Sequence, residues 1–554
     1  MFIENISAAF ITVFELHNLL LMVVGVMAGI IAAAIPGVTI TLAIILTLPF
    51  TFGMTPIQGL STMIGVYVGG LSGGLISGTL LGIPGTPASV ATTFDAFPMA
   101  RSGRPGLALG IGIWSSFFGG LISAVFLSFF APLLGLLGLE FGPWDFFALI
   151  LFALTIIASL SGDSMLKGGI AGLMGLIFAT VGEEEINGVA RFTFGYEPLL
   201  QGFSFLPVLI GLFAFSQLMS DVEDDKEAQA PLIQPDSAKA VRIQHLEALK
   251  EIFSRPIGLA RASIVGMFVG ILPAAGESIS NILSYDQAKK ASKHPEKFGT
   301  GIPDGIIATE GANNATAGGA LTMMMALGIP GDLVTAIMLG ALLIHNIVPS
   351  PTFITEQPVL AYGIFVAFFL SHFIMIAVQA VSLRFFLKLS RVPKYMLATV
   401  VLLFCAVGVF ALNNILFDVW TLFFFGVLGF LMRRFGFPLA PMVLGVILGP
   451  IAEINLNRAV SSSSDYMLFF TRPWSAWFLI LAVSSLLFPF WQEAIKHNRI
   501  GFWWKIYPFV SMLAIAVPLF FMPGYVRPVL GCVLIVWGGL IFYRLVNSTS
   551  KTAS

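Results

Sequence analysis

The chain has 554 residues, 57% of them hydrophobic and only 10% charged, with a mean hydropathy of +0.94 and a formal net charge of -1. Its apolar stretches repeatedly exceed the ~20 residues needed to cross a bilayer, which excludes a soluble fold. The small net charge excludes nothing, because orientation depends on how Lys and Arg are shared among the loops.

The N-terminus lacks a basic segment followed by a small-residue cleavage site, so Met1 to Leu16 is expected to be retained. Apolar segments follow near 19–35, 38–52, 59–82, 88–98, 107–130, 144–160, 165–182 and 199–219. A polar stretch from Asp221 to Arg255 is expected to be a solvated cytoplasmic connector with an amphipathic helix near 238–253. The second half gives 257–274, 278–284, 311–329, 332–348, 358–383, 394–412, 415–432 and 438–452, and further apolar segments lie near 474–491, 507–522 and 526–546. The expected organisation is a first membrane repeat over 1–219, a cytoplasmic linker over 220–256, a second membrane repeat over 257–460 and a C-terminal membrane extension over 461–554.

The repeat is read from a duplicated motif. Gly82-Ile83-Pro84-Gly85 returns as Gly328-Ile329-Pro330-Gly331, and Gly73-Gly74-Leu75 and Leu81 precede the first copy at the spacing at which Gly319-Ala320-Leu321 and Leu327 precede the second. Farther upstream, Gly25 and Gly29 lead to Ile35-Pro36-Gly37, as Gly266 and Gly270 lead to Leu272-Pro273-Ala274-Ala275-Gly276. Paired apolar segments broken by Pro and Gly at matching places in two halves point to broken helices meeting at a membrane binding site. Arg101 and Arg104 follow the first motif, whereas Lys289, Lys290, Lys293 and Lys297 precede the second, and the loops Thr51–Gln58 and Ser350–Pro358 carry no Lys or Arg. If basic loops are cytoplasmic, the copies enter the membrane from opposite sides. The same parity puts Arg384, Lys388, Arg391, Lys394, Arg433, Arg434, Lys496, Arg499, Lys505, Arg544 and Lys551 inside, with the C-terminus cytoplasmic. The expected fold is an all-α polytopic membrane protein with two inverted-topology repeats, broken helices and re-entrant hairpins with tips near Pro36 and Ala274.

Gly70, Gly74, Gly78 and Gly82 recur every fourth residue and form a stripe for close helix packing. At the motif itself, Pro84 stops the hydrogen-bond ladder, and Thr86, Pro87, Ser89, Thr92 and Thr93 suit the start of a new helix whose free N–H groups attract an anion. Substrate contacts are therefore expected at Pro36, Gly37 and Thr39, at Gly82, Pro84, Gly85, Thr86 and Ser89, at Gly276 and Ser278, and at Gly328, Pro330 and Gly331. Bulk at Gly85 or Gly331 is expected to abolish transport while leaving insertion intact. Asp332 in the second copy disfavours an anion when ionised, so the copies are expected to divide the work. Asn313, Asn314 and Thr316 offer oxygen ligands for a hard cation, Glu310 suits a proton, and Glu277 is a candidate coupling carboxylate. His345 and His372 have no further His, Cys or carboxylate at ligand spacing, so no metal site or other cofactor is expected beyond Na⁺ or H⁺ as coupling ion. Walker and nucleophile-elbow motifs are missing from the sequence, which argues against an enzyme.

The block Gly73 to Gly106, GGLISGTLLGIPGTPASVATTFDAFPMARSGRPG, resembles the signature of the large membrane subunit of tripartite tricarboxylate transporters, the TctA-type family. Glu310 to Gly331, EGANNATAGGALTMMMALGIPG, and the tips AIPGVT at 34–39 and LPAAGES at 272–278 resemble its other blocks. The resemblance runs through about the first 460–490 residues; Glu277, where the family more often has a small residue, and the extension beyond about 495 depart from it. It implies a bacterial inner-membrane protein working with a small membrane subunit (TctB-like) and a periplasmic solute-binding protein (TctC-like). The implied cargo is a di- or tricarboxylate such as citrate, imported on a cation gradient, with no nucleic acid partner. A stand-alone ion-coupled carboxylate symporter and, in another class, a membrane scaffold or channel remain the competing readings.

Overall fold

The computed structural model describes residues 2–35, 38–159, 165–184, 188–223, 241–273, 275–389, 402–403, 405–410, 414–496, 502–524 and 526–550. Pro36, Gly37, Ala274, Arg391, Lys394, Arg499, Lys551 and linker residues 224–240 lie outside the described residues.

The helices, in chain order, are α1 (Phe2–Val13), α2 (Leu16–Ala34), α3 (Ile40–Thr51), α4 (Pro56–Leu81), α5 (Thr93–Arg101), α6 (Pro105–Gly138), α7 (Pro143–Ser159) and α8 (Met165–Ala179). A two-residue antiparallel ladder pairs β1 (Gly182–Glu183) with β2 (Ala190–Arg191). Then come α9 (Phe205–Leu209), continued by a π-helical turn Ile210–Phe215 into α10 (Ser216–Glu223), and α11 (His245–Phe253), α12 (Pro256–Ile271), α13 (Gly276–Ala291), α14 (Pro303–Leu327) and α15 (Leu333–Ile344). The remainder is α16 (Phe353–Glu356), α17 (Pro358–Leu389), α18 (Leu416–Arg434), α19 (Leu439–Ser462), α20 (Leu468–Thr471), α21 (Pro473–Lys496), α22 (Phe502–Leu519) and α23 (Val526–Ser550). Among the described residues, 8 helices are long and apolar enough to cross a membrane, and α11 with α12, bent by 86°, would make a ninth. The chain is an all-α multi-pass membrane protein.

Two compact units share these elements: Met1–Leu139 with Ser204–Phe435, and Glu140–Phe203 with Gly436–Ser554. Each of the two halves read from the sequence contributes to both. In the second unit the C-terminal helices are integral, since α21 packs on α7 and α19 packs on α7 and α8. There the buried carboxylate of Asp145 takes the Gly142 N–H at 2.8 Å and the Arg472 guanidinium at 2.6 Å, fixing the turn that starts α7.

The first unit is built around α4 and α14, which end alike. Each starts with proline in its first turn, where the missing N–H costs nothing. Each stops on the first glycine of its motif in the left-handed conformation, Gly82 at φ 70° and Gly328 at φ 70°, the αL cap that glycine tolerates best. Each also carries a seam of small residues for a neighbour. Gly65, Gly69 and Gly73 lie on the backbone of α2, and Gly25 and Gly29 of α2 lie on the carbonyls of Thr62 and Val66. In the second copy, Gly266 and Gly270 of α12 lie on the carbonyls of Ala312 and Thr316, and Gly319 lies on Met267. These upstream glycines thus act as close-packing seams.

The linker helix appears as α11, shorter than expected from the sequence. Its Ala248 and Ile252 bury against Met99, Leu107, Ile111 and Ile306. The Gln244 N–H donates to Gly106 O at 3.0 Å, so this part of the connector is packed on α6 rather than free in solvent.

Candidate functional site

The glycine stripe of α4 receives the chain as it returns after the break. A Cβ on Gly74 would stand 2.8 Å from both the Thr86 and Ser89 hydroxyls, and one on Gly78 would stand 3.2 Å from the Thr93 methyl. After Gly85 the chain makes only a three-residue 3-10 turn, Pro87–Ser89, and α5 begins at Thr93. The helix expected to start beside Thr86 is therefore replaced there by a short turn. In the second copy the break passes directly into α15, capped by Asp332, whose Oδ1 accepts the Thr335 N–H at 2.6 Å and the Thr335 hydroxyl at 2.7 Å.

Gly85 and Gly331 face protein instead of open space. A Cβ on Gly85 would press on Ala33 O and stand 2.6 Å from Ser77 Oγ, and one on Gly331 would press on Gly270 O and stand 2.6 Å from Ala320 Cα. Each motif glycine thus seats its break against the end of an earlier helix, α2 for Gly85 and α12 for Gly331.

The two copies meet through α13. Ser280 shares a hydrogen bond with Thr316 of α14, Ser284 donates to Ala308 O at 2.7 Å, and the Asn281 amide donates to Ala88 O in the turn after the first motif. Gly276 lies beside Asp332, with its added Cβ 3.8 Å from Asp332 Cβ. Ser278 is half-buried, and Thr39 caps α3 by accepting the Leu42 N–H at 3.1 Å. Pro84 is half-buried and Pro330 buried.

Along α14, residues Gly305 to Leu327 are all buried. Glu310 Oε1 accepts the Thr92 hydroxyl at 2.6 Å, and Oε2 accepts the Ser116 hydroxyl of α6 at 2.8 Å. Asn313 donates to Leu71 O at 2.8 Å and Asn314 to Ser72 Oγ at 3.3 Å, both on α4. The amide oxygens of Asn281, Asn313 and Asn314 are buried without a hydrogen-bond partner. A buried acceptor left unpaired costs about 1–3 kcal/mol, so three of them in adjoining helices mark a place suited to a hydrogen-bonding or cationic ligand. The acidic residue of the second cap is drawn into the same region: the Tyr67 hydroxyl of α4 hydrogen-bonds Asp332 Oδ2 and lies 3.2 Å from Glu277 Oε1.

Tyr67, Asp95, Ser116 and Asn281 were not singled out from the sequence. Tyr67 stands fifteen residues before Gly82, as Asn313 stands fifteen before Gly328, so aligning the copies through their whole length flags it. Asp95 and Ser116 have no comparable signal, since their partners are 190 or more residues away. Among the described residues, no three His, Cys, Asp or Glu side chains gather as a metal-binding group.

The sequence model described as "Tripartite tricarboxylate transporter TctA family" matches residues 19–444, more than three quarters of the chain. The chain belongs to the TctA family. As a TctA-family protein it is of the large-subunit type of a tripartite tricarboxylate transporter, and both broken-helix motifs fall inside the matched span. It is 34% identical over 487 residues to an uncharacterized 52.8 kDa protein in the TAR-I ttuC' 3' region of Agrobacterium vitis, covering 88% of this chain and 95% of that one. An uncharacterized protein in the TAR-II ttuC' 3' region of the same organism is 34% identical over 223 residues, 40% of this chain and 92% of its own length. No solved structure matches the TctA-family chain.

Proposed function

We propose that this TctA-family protein is the large transmembrane subunit of a binding-protein-dependent secondary transporter, importing di- or tricarboxylates of the citrate type on a cation gradient. The observation that carries the reading is the buried polar region where α13 and α14 meet the first break, with the amide oxygens of Asn281, Asn313 and Asn314 unpaired. A scaffold has no use for such a region, and each open acceptor weakens the fold.

In this reading the substrate lies beside the two breaks, with Thr86 and Ser89 as its polar contacts at the first. Asn313, Asn314 and Thr316 supply oxygens to a coupling Na⁺, or carboxyl groups carry H⁺. The matched caps and seams of α4 and α14 support a duplicated unit, and the basic loops support an inverted insertion of its copies in a bacterial inner membrane with a cytoplasmic C-terminus. A small membrane subunit and a periplasmic solute-binding protein complete the system.

The test is uptake of labelled di- and tricarboxylates into proteoliposomes holding this chain and its small subunit, with and without the binding protein and a Na⁺ gradient. Uptake that needs the binding protein and a cation gradient is expected. Uptake without binding protein would instead favour a stand-alone symporter, and no uptake of any acid would reject the substrate class.

A further inference from the structure

Tyr67 has one hydroxyl hydrogen and two carboxyl neighbours. Its oxygen is hydrogen-bonded to Asp332 Oδ2 at the cap of α15 and lies 3.2 Å from Glu277 Oε1 in the first turn of α13. A phenol donates once, so it cannot satisfy two carboxylates together. Asp332 is further engaged by the Thr335 N–H and hydroxyl on its other oxygen, which leaves Oδ2 to Tyr67.

The titratable groups facing one another here are Tyr67 from α4, Glu277 from α13 and Asp332 from α15. Among the described residues, no Lys, Arg or His is hydrogen-bonded or ion-paired to any of them. Asp332 is 2% exposed and Tyr67 0%, so a negative charge on Glu277 would stand beside a buried carboxylate with no counter-charge between them. A second observation comes from the same face of α13. Asn281, one turn after Glu277 and 1% exposed, points its amide nitrogen to Ala88 O and leaves its oxygen unpaired, so the face carrying Glu277 also presents an open acceptor.

We propose that Glu277, Tyr67 and Asp332 form a proton-binding site, in which one proton resides on Glu277 and is shared through Tyr67 with Asp332. The added hydrogen completes the set: Glu277 donates to the Tyr67 oxygen while Tyr67 donates to Asp332. Glu277 is half-buried, whereas its two partners are sealed, so the proton enters and leaves at Glu277. The site deepens the transport reading by adding H⁺ as a bound species, apart from the Asn313–Thr316 oxygens. The binding itself is readable without transport.

The experiment is infrared spectroscopy of the full chain in lipid nanodiscs at neutral pH, following the C=O stretch of protonated carboxyl groups on exchange from H₂O into D₂O. The expected result is an exchange-sensitive carboxyl band that is lost in Glu277→Gln and also in Asp332→Asn, where Glu277 remains but the buried negative charge that favours its protonated form is gone. Tyr67→Phe should keep the band and shift it, because the proton loses its phenol acceptor. A difference spectrum in which either amide variant loses no carboxyl band relative to wild type, or in which Tyr67→Phe shifts none, overturns the proposal, as does the lack of any exchangeable carboxyl band in the wild type. Failure of carboxylate uptake would touch the transport reading alone.

Discussion

The carboxylate of Asp95, on the helix after the first break, accepts the backbone N–H of Gly301 at 2.8 Å, in the loop that leads into α14. The same oxygen accepts Gly299 N–H and Ile302 N–H, each at 3.0 Å, and its twin accepts the Tyr285 hydroxyl at 2.9 Å. One buried side chain therefore ties the trailing end of the first motif to the leading end of the second copy.

Asp95→Ala leaves these donors without an acceptor, at about 1–3 kcal/mol for each one that stays buried. Amide exchange over 292–302 should accelerate by about tenfold or more, since about 1.4 kcal/mol corresponds to a factor of ten. Asp95→Asn keeps an acceptor oxygen and should lose less. Unchanged exchange in Asp95→Ala would show that the loop is held by other contacts.

The Thr92–Glu310 hydrogen bond crosses from the first copy to the second at 2.6 Å and has a carboxylate as acceptor. Hydrogen bonds of this kind contribute about 1.5–3 kcal/mol. A cycle of Thr92→Val, Glu310→Gln and the double variant, read by chemical unfolding in detergent, should give a coupling energy of about 1 kcal/mol or more. Additive losses would mean that the two residues do not act on each other.

Gly85→Val and Gly331→Val should reduce the yield of folded, monodisperse protein, because each side chain would be driven into the backbone of a neighbouring helix. Gly53→Ala is the control, as nothing lies within 4 Å of its added Cβ. Wild-type yield with transport lost would restore the view that these glycines line open substrate space.

The inverted insertion predicts that cysteines replacing Ser102 and Lys293 label from one face of the membrane and one replacing Thr355 from the other. All three sites are exposed, and the nearby Gly103 and Gly299 are avoided because their φ values of 89° and 90° would strain a side chain. Labelling of 102 and 293 from opposite faces would rule out the inverted arrangement.

In the second unit, the Arg527 guanidinium donates to Glu140 at 2.8 Å and holds its carboxyl below the ordinary range. With the folded value depressed, the contribution is present above the unfolded carboxyl range and fades as pH falls through the folded one. Glu140 is 39% exposed, so screening keeps the tie below about 1 kcal/mol. Arg527→Gln should lower the unfolding temperature slightly at neutral pH, and the difference should shrink on acidification. A gap that widens in acid would contradict this sign.

Helix ends were legible in the sequence because they depend on local chemistry: Gly82 and Gly328 end α4 and α14. The seams were not read where they lie, since close packing was expected along Gly70, Gly74, Gly78 and Gly82, whereas Gly65, Gly69 and Gly73 meet α2, and Gly266 and Gly270 meet α14. The polar content of α14 was legible too, since Glu310, Asn313 and Asn314 interrupt an apolar segment, while their service to a cation is part of the proposal. The roles of Gly85 and Gly331 were not, because a small residue for a ligand and a small residue for a neighbouring helix look the same in a chain. Asp95 escaped for a different reason: its chemistry exists only once distant segments have met.

The helix that carries Glu310, Asn313 and Asn314 is buried from Gly305 to Leu327. Unlike α4, α14 does not reach the apolarity of the candidate spans, and its cover comes from α6 ahead of it and from α12 and α13 immediately before it. Emerging alone from the insertion machinery, Glu310, Asn313 and Asn314 would face lipid at a cost of several kcal/mol. The order of synthesis therefore matters: α4 and α6 are already made when α14 appears and can take it up at once. Biogenesis of this protein is thus set to depend on its own earlier helices as the receptor for a later one.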